Sequence, residues 1–380
     1  MYVLMVVPSN FPNGDAGAVR DDIYARMYRK LGYDVKLIGK GRLCANGDYC
    51  ETEFISIHKD IPGLRGQITR FLLDHRKYRA VIKKFVRKYG PPSIIHINDI
   101  PSRTITYLIH LAKNYNISIV HDSVEWYSPC EFPHGKLDKA YILKDRLNRR
   151  IIRNPIKVIG ISTYLTEHFQ NRGLQAVRIP VIMDVKNTQV SQNRSEKVKL
   201  IYAGSPANKD YLKEIVLGTA LLAEESQQRI ELHVLGANEA QIKDLTNLQS
   251  LPSCITAYGR VPRDQVEEVM LGMDFSVLLR PAEERYAKAG FPTKSVEAMS
   301  HGVAMLCNIS SDLGMYLKDG ENAVIVDGHD EKSFARGLEQ VLSLSREQID
   351  QIKANARKLA EKEFDYRNWI TTVSGLIGEK

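Results

Sequence analysis

The sequence predicts an α/β protein of two doubly wound domains, each with a mainly parallel sheet covered by helices. Short β-branched apolar runs alternate with amphipathic stretches of ten to twenty residues, which is typical of βαβ units. The chain has 380 residues, more than one hydrophobic core usually supports. We therefore expect two domains of roughly 150 to 200 residues each.

The first domain is predicted at residues 1–184. Its strands are expected at residues 2–7, 35–38, 54–57, 94–97, 118–121 and 157–161. Its helices are expected at residues 18–31, 68–89, 101–115, 137–153 and 163–172.

The second domain is predicted at residues 185–364, since the polar stretch at 183–196 is typical of an interdomain linker. Its strands are expected at residues 199–203, 231–235, 255–258, 275–279, 304–307 and 323–326. Helices at 331–344 and 346–363 follow. Residues 365–380 carry apolar side chains at helical spacing, so we expect a terminal helix that covers a further apolar surface.

The composition excludes several classes of protein. No apolar run approaches the ~20 residues of a membrane-spanning helix. The apolar start at residues 1–7 lacks the basic region and cleavage site of a signal peptide. The five cysteines are scattered and form no C-x-x-C pair, so we expect neither a disulfide framework nor a zinc site. A cytoplasmic location fits these features.

The net charge of +8 is unevenly distributed. Residues 1–184 hold 29 Lys and Arg against 17 Asp and Glu, a net +12, whereas residues 185–380 hold 24 against 28, a net −4. A basic first half suits an anionic partner such as a phospholipid surface, a phosphorylated lipid or a nucleic acid. A solvated basic face without a partner is the alternative.

The predicted helix at 68–89 concentrates this charge, with nine Lys, Arg and His residues beside large apolar ones that include Phe71, Leu72, Tyr78, Val81, Ile82 and Phe85. Such a helix either lies on an anionic membrane, or buries one face and exposes the other to water. The sequence leaves both interpretations open.

A loop with glycines at positions 14 and 17 follows the first predicted strand and leads to Arg20. It is not G-x-G-x-x-G, so a nicotinamide-dependent dehydrogenase is not favoured. Small residues such as Gly17 let a phosphate approach a helix N-terminus, although a plain tight turn explains the loop equally well.

Polar residues follow the fifth predicted strand. His121 and Asp122 stand at its end, and Glu125, Trp126 and Tyr127 come next. Ligands of parallel sheets bind at the carboxyl ends of strands. The polar side chains suit hydrogen bonds to sugar hydroxyls, and Trp126 or Tyr127 suits stacking on a sugar ring; a structural role for His121 is the alternative.

The second domain opens with a strand that runs into Gly204 and Ser205, with Lys209 near the next helix. Backbone donors and a Lys ammonium in this arrangement neutralise a diphosphate. A chance turn with a surface lysine is the alternative. The segment at 258–262, with Gly259 and Arg260, supplies a second loop that suits the edge of a nucleobase.

The segment at 280–302 gives the strongest signal. A loop rich in cations follows a strand and enters a helix through Gly290, Phe291, Pro292, Thr293 and Lys294. Pro292 suits a first helical turn, where free N–H groups point at an anion. Glu297 lies one turn further on and suits a ribose diol. The alternative, an amphipathic helix that is capped but binds no ligand, does not explain the cations of this segment. These cations are Arg280, Arg285, Lys288 and Lys294.

Four segments together resemble glycosyltransferase family 4, retaining enzymes of the GT-B fold. They are Tyr-Ala-Gly-Ser with Lys-Asp at 202–210, Tyr-Gly-Arg-Val-Pro at 258–262, Gly-Phe-Pro-Thr-Lys-Ser-Val-Glu-Ala-Met-Ser-His-Gly at 290–302, and Asp-Gly-Glu-Asn-Ala-Val at 319–324. The similarity is clear over residues 197–328. It implies two Rossmann-like domains that face each other across a cleft, with the C-terminal helix crossing back to the first domain.

The resemblance also implies roles for individual residues. The segment from Pro292 to Glu297 holds the donor nucleotide, with Glu297 on the ribose, while Gly204 and Lys209 hold the diphosphate. His121 lies beside the transferred sugar. One departure is that the usual first acid of Glu-x7-Glu, which meets the donor sugar, is Ala289 here.

A mechanism follows from these roles. Lys209, Arg285 and the helix start at 291–294 stabilise charge on the departing diphosphate. His121 and Asp122 orient the sugar, and Arg20, Glu125 and Trp126 lie on the acceptor side. No Asp-x-Asp motif is present, so we expect no metal and no cofactor beyond a UDP- or GDP-linked sugar substrate.

The acceptor implied by the resemblance and the basic first half is a lipid-linked saccharide of bacterial surface polysaccharide synthesis. This places the protein in the cytoplasm, at the inner face of the membrane. Two other functions remain as alternatives: a nucleotide-sugar epimerase of the GT-B fold and a basic nucleic-acid-binding protein.

Overall fold

The computed structural model describes residues 1–9, 11, 16–40, 47–49, 52–57, 64–193, 195–204 and 209–378. The chain forms two compact units. The first comprises Met1–Ile182 and Tyr366–Lys380, and the second comprises Met183–Asp365.

The first unit contains an eight-stranded sheet in the order β3-β4-β2-β1-β5-β6-β7-β8. The strands are β1 (Tyr2–Val6), β2 (Asp34–Gly39), β3 (Gly47–Tyr49), β4 (Thr52–Ser56), β5 (Ile94–Asn98), β6 (Ser118–Ser123), β7 (Lys157–Gly160) and β8 (Ala176–Arg178). All neighbours pair in parallel except β3 and β4. Every residue of β1 is buried, which explains its unbroken apolar run, because helices cover both faces of a parallel sheet.

Five helices of this unit precede the second unit in the chain. They are α1 (Ala16–Lys30), α2 (Leu64–Tyr89), α3 (Ser102–Tyr115), α4 (Lys139–Arg146) and α5 (Thr163–Gln170). Asn116, which follows α3, adopts the left-handed conformation at φ 52° and ends that helix. Ser162 caps the start of α5, where its side chain accepts from the N–H of Leu165.

The second unit contains a six-stranded parallel sheet in the order β11-β10-β9-β12-β13-β14. Its strands are β9 (Val198–Ala203), β10 (Ile230–Leu235), β11 (Ile255–Gly259), β12 (Phe275–Leu278), β13 (Ala304–Cys307) and β14 (Ala323–Ile325). Its helices are α6 (Leu212–Ala220), α7 (Glu224–Gln228), α8 (Glu239–Thr246), α9 (Arg263–Met270), α10 (Arg285–Ala289), α11 (Thr293–Ser300), α12 (Glu331–Ser343) and α13 (Arg346–Leu359).

The C-terminal helix α14 (Ile370–Ile377) belongs to the first unit. Tyr366, Val373 and Leu376 are buried in the same apolar cluster as Tyr24 and Val35. The Nζ of Lys157 donates to the carbonyl of Leu376 at 2.7 Å. The apolar stripe in the sequence is therefore explained by packing on the first sheet.

Two strands and several helix boundaries differ from the prediction; for example, α2 begins at Leu64 instead of residue 68, and α13 ends at Leu359 instead of residue 363. β3 and β8 have three residues each, too few for a periodic signal. The helix expected at 137–153 is α4 followed by a π-helical turn at Leu147–Ile151. In the described part of the chain, no helix combines the length and the apolar character needed to cross a membrane.

Candidate functional site

The strand order of the second unit reverses between β9 and β12. The chain runs from β9 to β10 and β11 on one side, then to β12, β13 and β14 on the other. The carboxyl ends of β9 and β12 therefore lie side by side, and ligands of open parallel sheets bind at such a reversal. Gly204 directly follows β9, and Arg280 stands two residues after β12.

Asp210 joins two of the predicted cations at this point. Its Oδ1 accepts from the Nε of Arg280 at 2.9 Å, and its Oδ2 lies 2.5 Å from the Nζ of Lys294. The hydroxyl of Tyr202 donates to Oδ2 at 3.3 Å. The side chains of Asp210, Arg280 and Lys294 are only 9%, 12% and 18% exposed. The two cations are thus held by an internal carboxylate.

The charge of this cluster still favours an anion. Burial acts to raise the pKa of Asp210, but the charges of Lys294 and Arg280 outweigh it and lower the pKa below its usual range. The carboxylate is therefore ionised at neutral pH. Two cations against one carboxylate leave a net positive charge beside the carboxyl ends of β9 and β12.

Gly204 lies directly against the same cluster. A Cβ built at this position would lie 2.5 Å from the Nζ of Lys294 and 3.2 Å from the hydroxyl oxygen of Tyr202. The Nζ of Lys294 also lies 4.5 Å from the centroid of the Tyr202 ring. The absence of a side chain at Gly204 therefore leaves room for the ammonium of Lys294.

The start of α11 was predicted to offer its N–H groups to an anion. Pro292 occupies the N-cap position and makes no side-chain cap. The N–H of Gly290, however, donates to the carbonyl of Tyr286 at 2.9 Å, so the prediction that this amide is available is wrong. Phe291 is buried against Tyr316 and Phe364, which leaves only its backbone for a ligand. Thr293 is partly exposed at the first helical position.

Glu297 lies one turn further along α11 and contacts Arg263. The Nη2 of Arg263 donates to Oε1 of Glu297 at 3.1 Å, and the Glu297 side chain is 24% exposed. Burial raises the pKa of this carboxyl, and the charge of Arg263 only partly offsets that effect. A ribose diol would have to share this carboxylate with Arg263.

The remaining predicted residues of this unit lie around the same edge of the sheet. The carbonyl of Lys209 accepts from the Tyr286 hydroxyl at 3.4 Å, and Arg285 is the first residue of α10. Gly259 ends β11 at φ 69°, and the Arg260 side chain after it is exposed. Ser205 lies outside the described residues.

In the first unit, Arg20 and Asp122 bind each other in the core. The Nε and Nη2 of Arg20 lie 2.7 and 2.8 Å from the two oxygens of Asp122. Arg20 also donates to the carbonyls of Ile179 and Pro180 and to the Tyr24 hydroxyl. Both side chains are buried. The predicted contacts of Arg20 with an acceptor and of Asp122 with a sugar are therefore corrected to a structural pairing of α1, β6 and the segment after β8.

His121 and His96 lie beside this ion pair and are also buried. Burial lowers the pKa of each ring to about 4, so both are neutral at pH 7. The Nδ1 of His96 lies 3.0 Å from the Tyr28 hydroxyl. The Nδ1 of His121 and the Nε2 of His96 are buried without a hydrogen-bond partner among the described residues.

Trp126 is only 3% exposed, so the predicted stacking of a sugar on its ring is wrong. Its Nε1 donates to Asp145 at 2.9 Å, and the centroids of the Trp126 and His168 rings lie 4.3 Å apart. Glu125 is exposed beside Tyr127. Burial raises the pKa of Tyr127, and the negative charge of Glu125 raises it further. Gly17 lies in the first turn of α1, whereas position 14 is outside the described residues.

Residues 184–359 match the family model described as glycosyl transferases group 1. Three solved structures align with nearly the whole chain. Sucrose-phosphate synthase from Thermosynechococcus elongatus is 14% identical with a TM-score of 0.72, covering 99% of this chain and 98% of its own. WaaG, a glycosyltransferase involved in lipopolysaccharide biosynthesis, is 14% identical with a TM-score of 0.70 and full coverage of both chains, 100% each.

HepE from Anabaena, in complex with UDP and glucose, is 13% identical with a TM-score of 0.67 and covers 99% of each chain. The chain has the GT-B fold. The fold class predicted from the sequence is confirmed. No curated protein matches the chain in sequence.

Within this GT-B chain, Ala289 is fully buried at the end of α10, eight residues before Glu297. The expected first acid of Glu-x7-Glu is thus replaced by a small core residue. Among the described residues, no three His, Cys, Asp or Glu side chains lie close enough to hold a metal ion.

Asp210 has no role predicted from the sequence. Its only signal is its position directly after Lys209 at the reversal of strand order. The partners of Asp210 are 70 and 84 residues away, so their pairing exists only in the folded GT-B domain.

Proposed function

We propose that the protein is a retaining glycosyltransferase of family 4 that moves a hexose from a UDP- or GDP-linked donor to the hydroxyl of a lipid-linked saccharide. The observation that carries this proposal is the net cationic cluster of Arg280, Lys294 and Asp210 at the strand reversal of the second unit. It lies inside the segment that matches the group 1 glycosyltransferase model.

The cations suit the charge that develops in the reaction. As the bond between the anomeric carbon and the diphosphate oxygen breaks, negative charge grows on the departing nucleotide diphosphate. We assign its stabilisation to Lys209, Arg285, Lys294 and the start of α11. The acceptor hydroxyl attacks from the same face, and a donor phosphate oxygen takes its proton. The protein's own cations take the place of a metal in this proposal.

We assign His121 to the donor sugar on the resemblance to family 4; its ring is neutral, and a sugar hydroxyl that reached the buried Nδ1 would supply the hydrogen-bond partner that this atom lacks. Glu297 is assigned to the ribose diol, in exchange for its contact with Arg263. The buried Ala289 supports a donor sugar held by backbone groups or by cations, where the usual acid is missing.

The basic first half of the chain supports a lipid diphosphate in the acceptor, with the enzyme at the cytoplasmic face of a membrane. The similarity to WaaG, which is described as acting in lipopolysaccharide biosynthesis, is consistent with a bacterial surface polysaccharide as product.

Donor binding is tested by the melting temperature in the presence of UDP-, GDP- and dTDP-sugars, since a ligand that binds only the folded state stabilises it. A ligand at about 100 times its Kd adds about 2.7 kcal/mol, a shift of several degrees. Lys294→Ala and Glu297→Ala should remove the shift. Lys318→Ala, at a side chain 70% exposed, is the matched control. An unchanged shift in both site variants would overturn the site.

The reaction is tested with the donor that binds. NMR of the product should show the donor's anomeric configuration retained, and added EDTA should leave the rate unchanged. An epimerised nucleotide-sugar formed without acceptor would favour the epimerase. Nucleic-acid binding with a steep salt dependence, and no response to any nucleotide-sugar, would favour the nucleic-acid-binding protein.

A further inference from the structure

Exposed apolar side chains lie on one surface of the first unit that the proposed chemistry does not use. Leu137 is 84% exposed, Ile142 48% and Leu143 43%. Exposed apolar groups rimmed by charge mark interaction sites. We call this region the α4 surface, defined by Lys136, Leu137, Lys139, Ile142, Leu143 and Arg146.

The apolar and basic side chains of α4 share one face. Lys139, Ile142, Leu143 and Arg146 are spaced i, i+3, i+4 and i+7, which places them in one stripe along the helix. All four are exposed. This helix therefore turns its most apolar face to the outside, the reverse of an ordinary surface helix.

The opposite face of α4 is held in place. Asp145 accepts from the Nε1 of Trp126 at 2.9 Å, and Lys144 forms an ion pair with Asp99. Leu147, which follows the helix, is buried. Rolling the helix to bury Ile142 and Leu143 would break these contacts, so their exposure is built into the fold.

The charge of this region is positive. Residues 129–153 contain seven Lys and Arg against three Asp and Glu. The acids are engaged locally: Asp138 caps α4, Glu131 accepts from the N–H of Ser128, and Asp145 binds Trp126. Within the described residues, no carboxylate lies within ion-pair distance of Lys136, Lys139 or Arg146. An anionic partner with an apolar interior matches this surface.

The α4 surface also lies next to the carboxyl edge of the first sheet. Asp99, which pairs with Lys144, directly follows β5, and Trp126 stands three residues after β6. The basic helix α2 is different. Over residues 74–89, whose side chains the structure describes, Tyr78, Ile82 and Phe85 are buried and Val81, Val86 and Tyr89 are half-buried, so this part of α2 presents charge without an exposed large apolar side chain.

We propose that the α4 surface docks the protein on an anionic lipid bilayer, with Ile142 and Leu143 entering the interface and the basic residues contacting lipid phosphates. This inference deepens the proposed function, because it brings the carboxyl edge of the first sheet to the surface in which a lipid-linked acceptor is anchored.

The test is co-flotation of the full-length protein with vesicles of phosphatidylcholine, alone or mixed with phosphatidylglycerol. We expect binding to the mixed vesicles only, weakened by salt. Ile142→Ser/Leu143→Ser and Lys139→Ser/Arg146→Ser should each bind at least about tenfold more weakly, since each basic residue near an anionic surface accounts for about a fivefold change. Leu221→Ser, at a side chain 56% exposed in the second unit, should bind as wild type.

Lys83→Ser/Lys84→Ser removes two exposed cations of α2 and tests that helix as the alternative. Loss of binding in this variant with the α4 variants unchanged overturns the proposal, as does a wild-type protein that ignores the mixed vesicles. Unaltered melting temperatures show that the α4 variants are folded. Vesicle binding without any response to nucleotide-sugars would overturn the proposed function alone, and donor binding without vesicle binding would overturn this surface alone.

Discussion

The ammonium of Lys294 lies 2.5 Å from one oxygen of Asp210, whose other oxygen lies 2.9 Å from the guanidinium of Arg280. Asp210 lies between β9 and α6, Lys294 in the first turn of α11 and Arg280 two residues after β12. One carboxylate thus fixes two cations from separate segments. A side chain held in this way loses less conformational entropy when a ligand binds, so Asp210 is a positioning residue of the proposed donor site.

Asp210→Asn should destabilise the free protein by about 3 kcal/mol, because removing one partner of a buried ion pair leaves uncompensated charge. Added UDP or GDP should then raise the melting temperature less than in wild type, because Arg280 and Lys294 are no longer held in position for the diphosphate. Chemical unfolding and thermal melting measure the two effects. Asp244→Asn, at an exposed position, is the control. A variant with wild-type stability and an unchanged nucleotide response would contradict this role.

Gly204→Ala should weaken nucleotide binding with little loss of stability. The added Cβ would lie 2.5 Å from the Nζ of Lys294, the far end of a flexible side chain, which moves away at small cost but leaves Asp210. We expect an affinity for the donor nucleotide lower by about tenfold or more, the factor that corresponds to about 1.4 kcal/mol. Calorimetric titration measures it.

The matched control for this change is Gly272→Ala, where the nearest atom to an added Cβ is the carbonyl oxygen of Val269 at 3.8 Å. That substitution should alter neither affinity nor stability by more than a few tenths of a kcal/mol. Equal effects of the two substitutions would show that the close contact between Gly204 and Lys294 has no part in binding.

The sequence predicted the two doubly wound domains because buried parallel strands produce apolar runs that stand out between amphipathic helices. β1 and β9 are examples, each central in its sheet. β3 and β8 were missed because each has only three residues, among them Gly47, Asp48 and Arg178, so no apolar run marks them in the sequence. Their pairing depends on neighbours that the local sequence does not identify.

The candidate site was predicted in part. Cations near Arg280 and Lys294 were visible as a cluster in the sequence, whereas Asp210 was not, because contacts 70 and 84 residues apart leave no local signal. Arg20 and Asp122 were placed at strand and helix ends that usually bind ligands, yet they bind each other across 102 residues. Polar residues at such ends either bind a ligand or form hydrogen bonds inside the core. Only the folded structure shows which of these two roles a residue has.

Asp122→Asn should therefore act through stability. Arg20 is buried and donates to both oxygens of Asp122, so the variant leaves a buried cation without its counterion, at a cost of about 3 to 5 kcal/mol. Urea unfolding measures this loss. Glu267→Gln removes an exposed partner of Arg263, and it should cost less than about 1 kcal/mol. If the Asp122→Asn protein were as stable as wild type but had a much lower kcat, the prediction would be wrong, and Asp122 would take part directly in the reaction.

The buried rings of His96 and His121 predict that stability falls as the pH is lowered from 7 to 5. Burial lowers each pKa from 6.5 to about 4, so between these values the unfolded chain binds protons that the folded protein does not. The stabilisation is complete above pH 6.5 and is lost as the pH falls towards 4, on the order of 3 kcal/mol for each ring.

Urea unfolding at a series of pH values measures the slope of the unfolding free energy against pH. His96→Gln should flatten it, because one of the two proton-binding rings is gone, while the exposed His110→Gln should leave it unchanged. An equal slope in wild type and His96→Gln would mean that His96 is not held neutral by its surroundings.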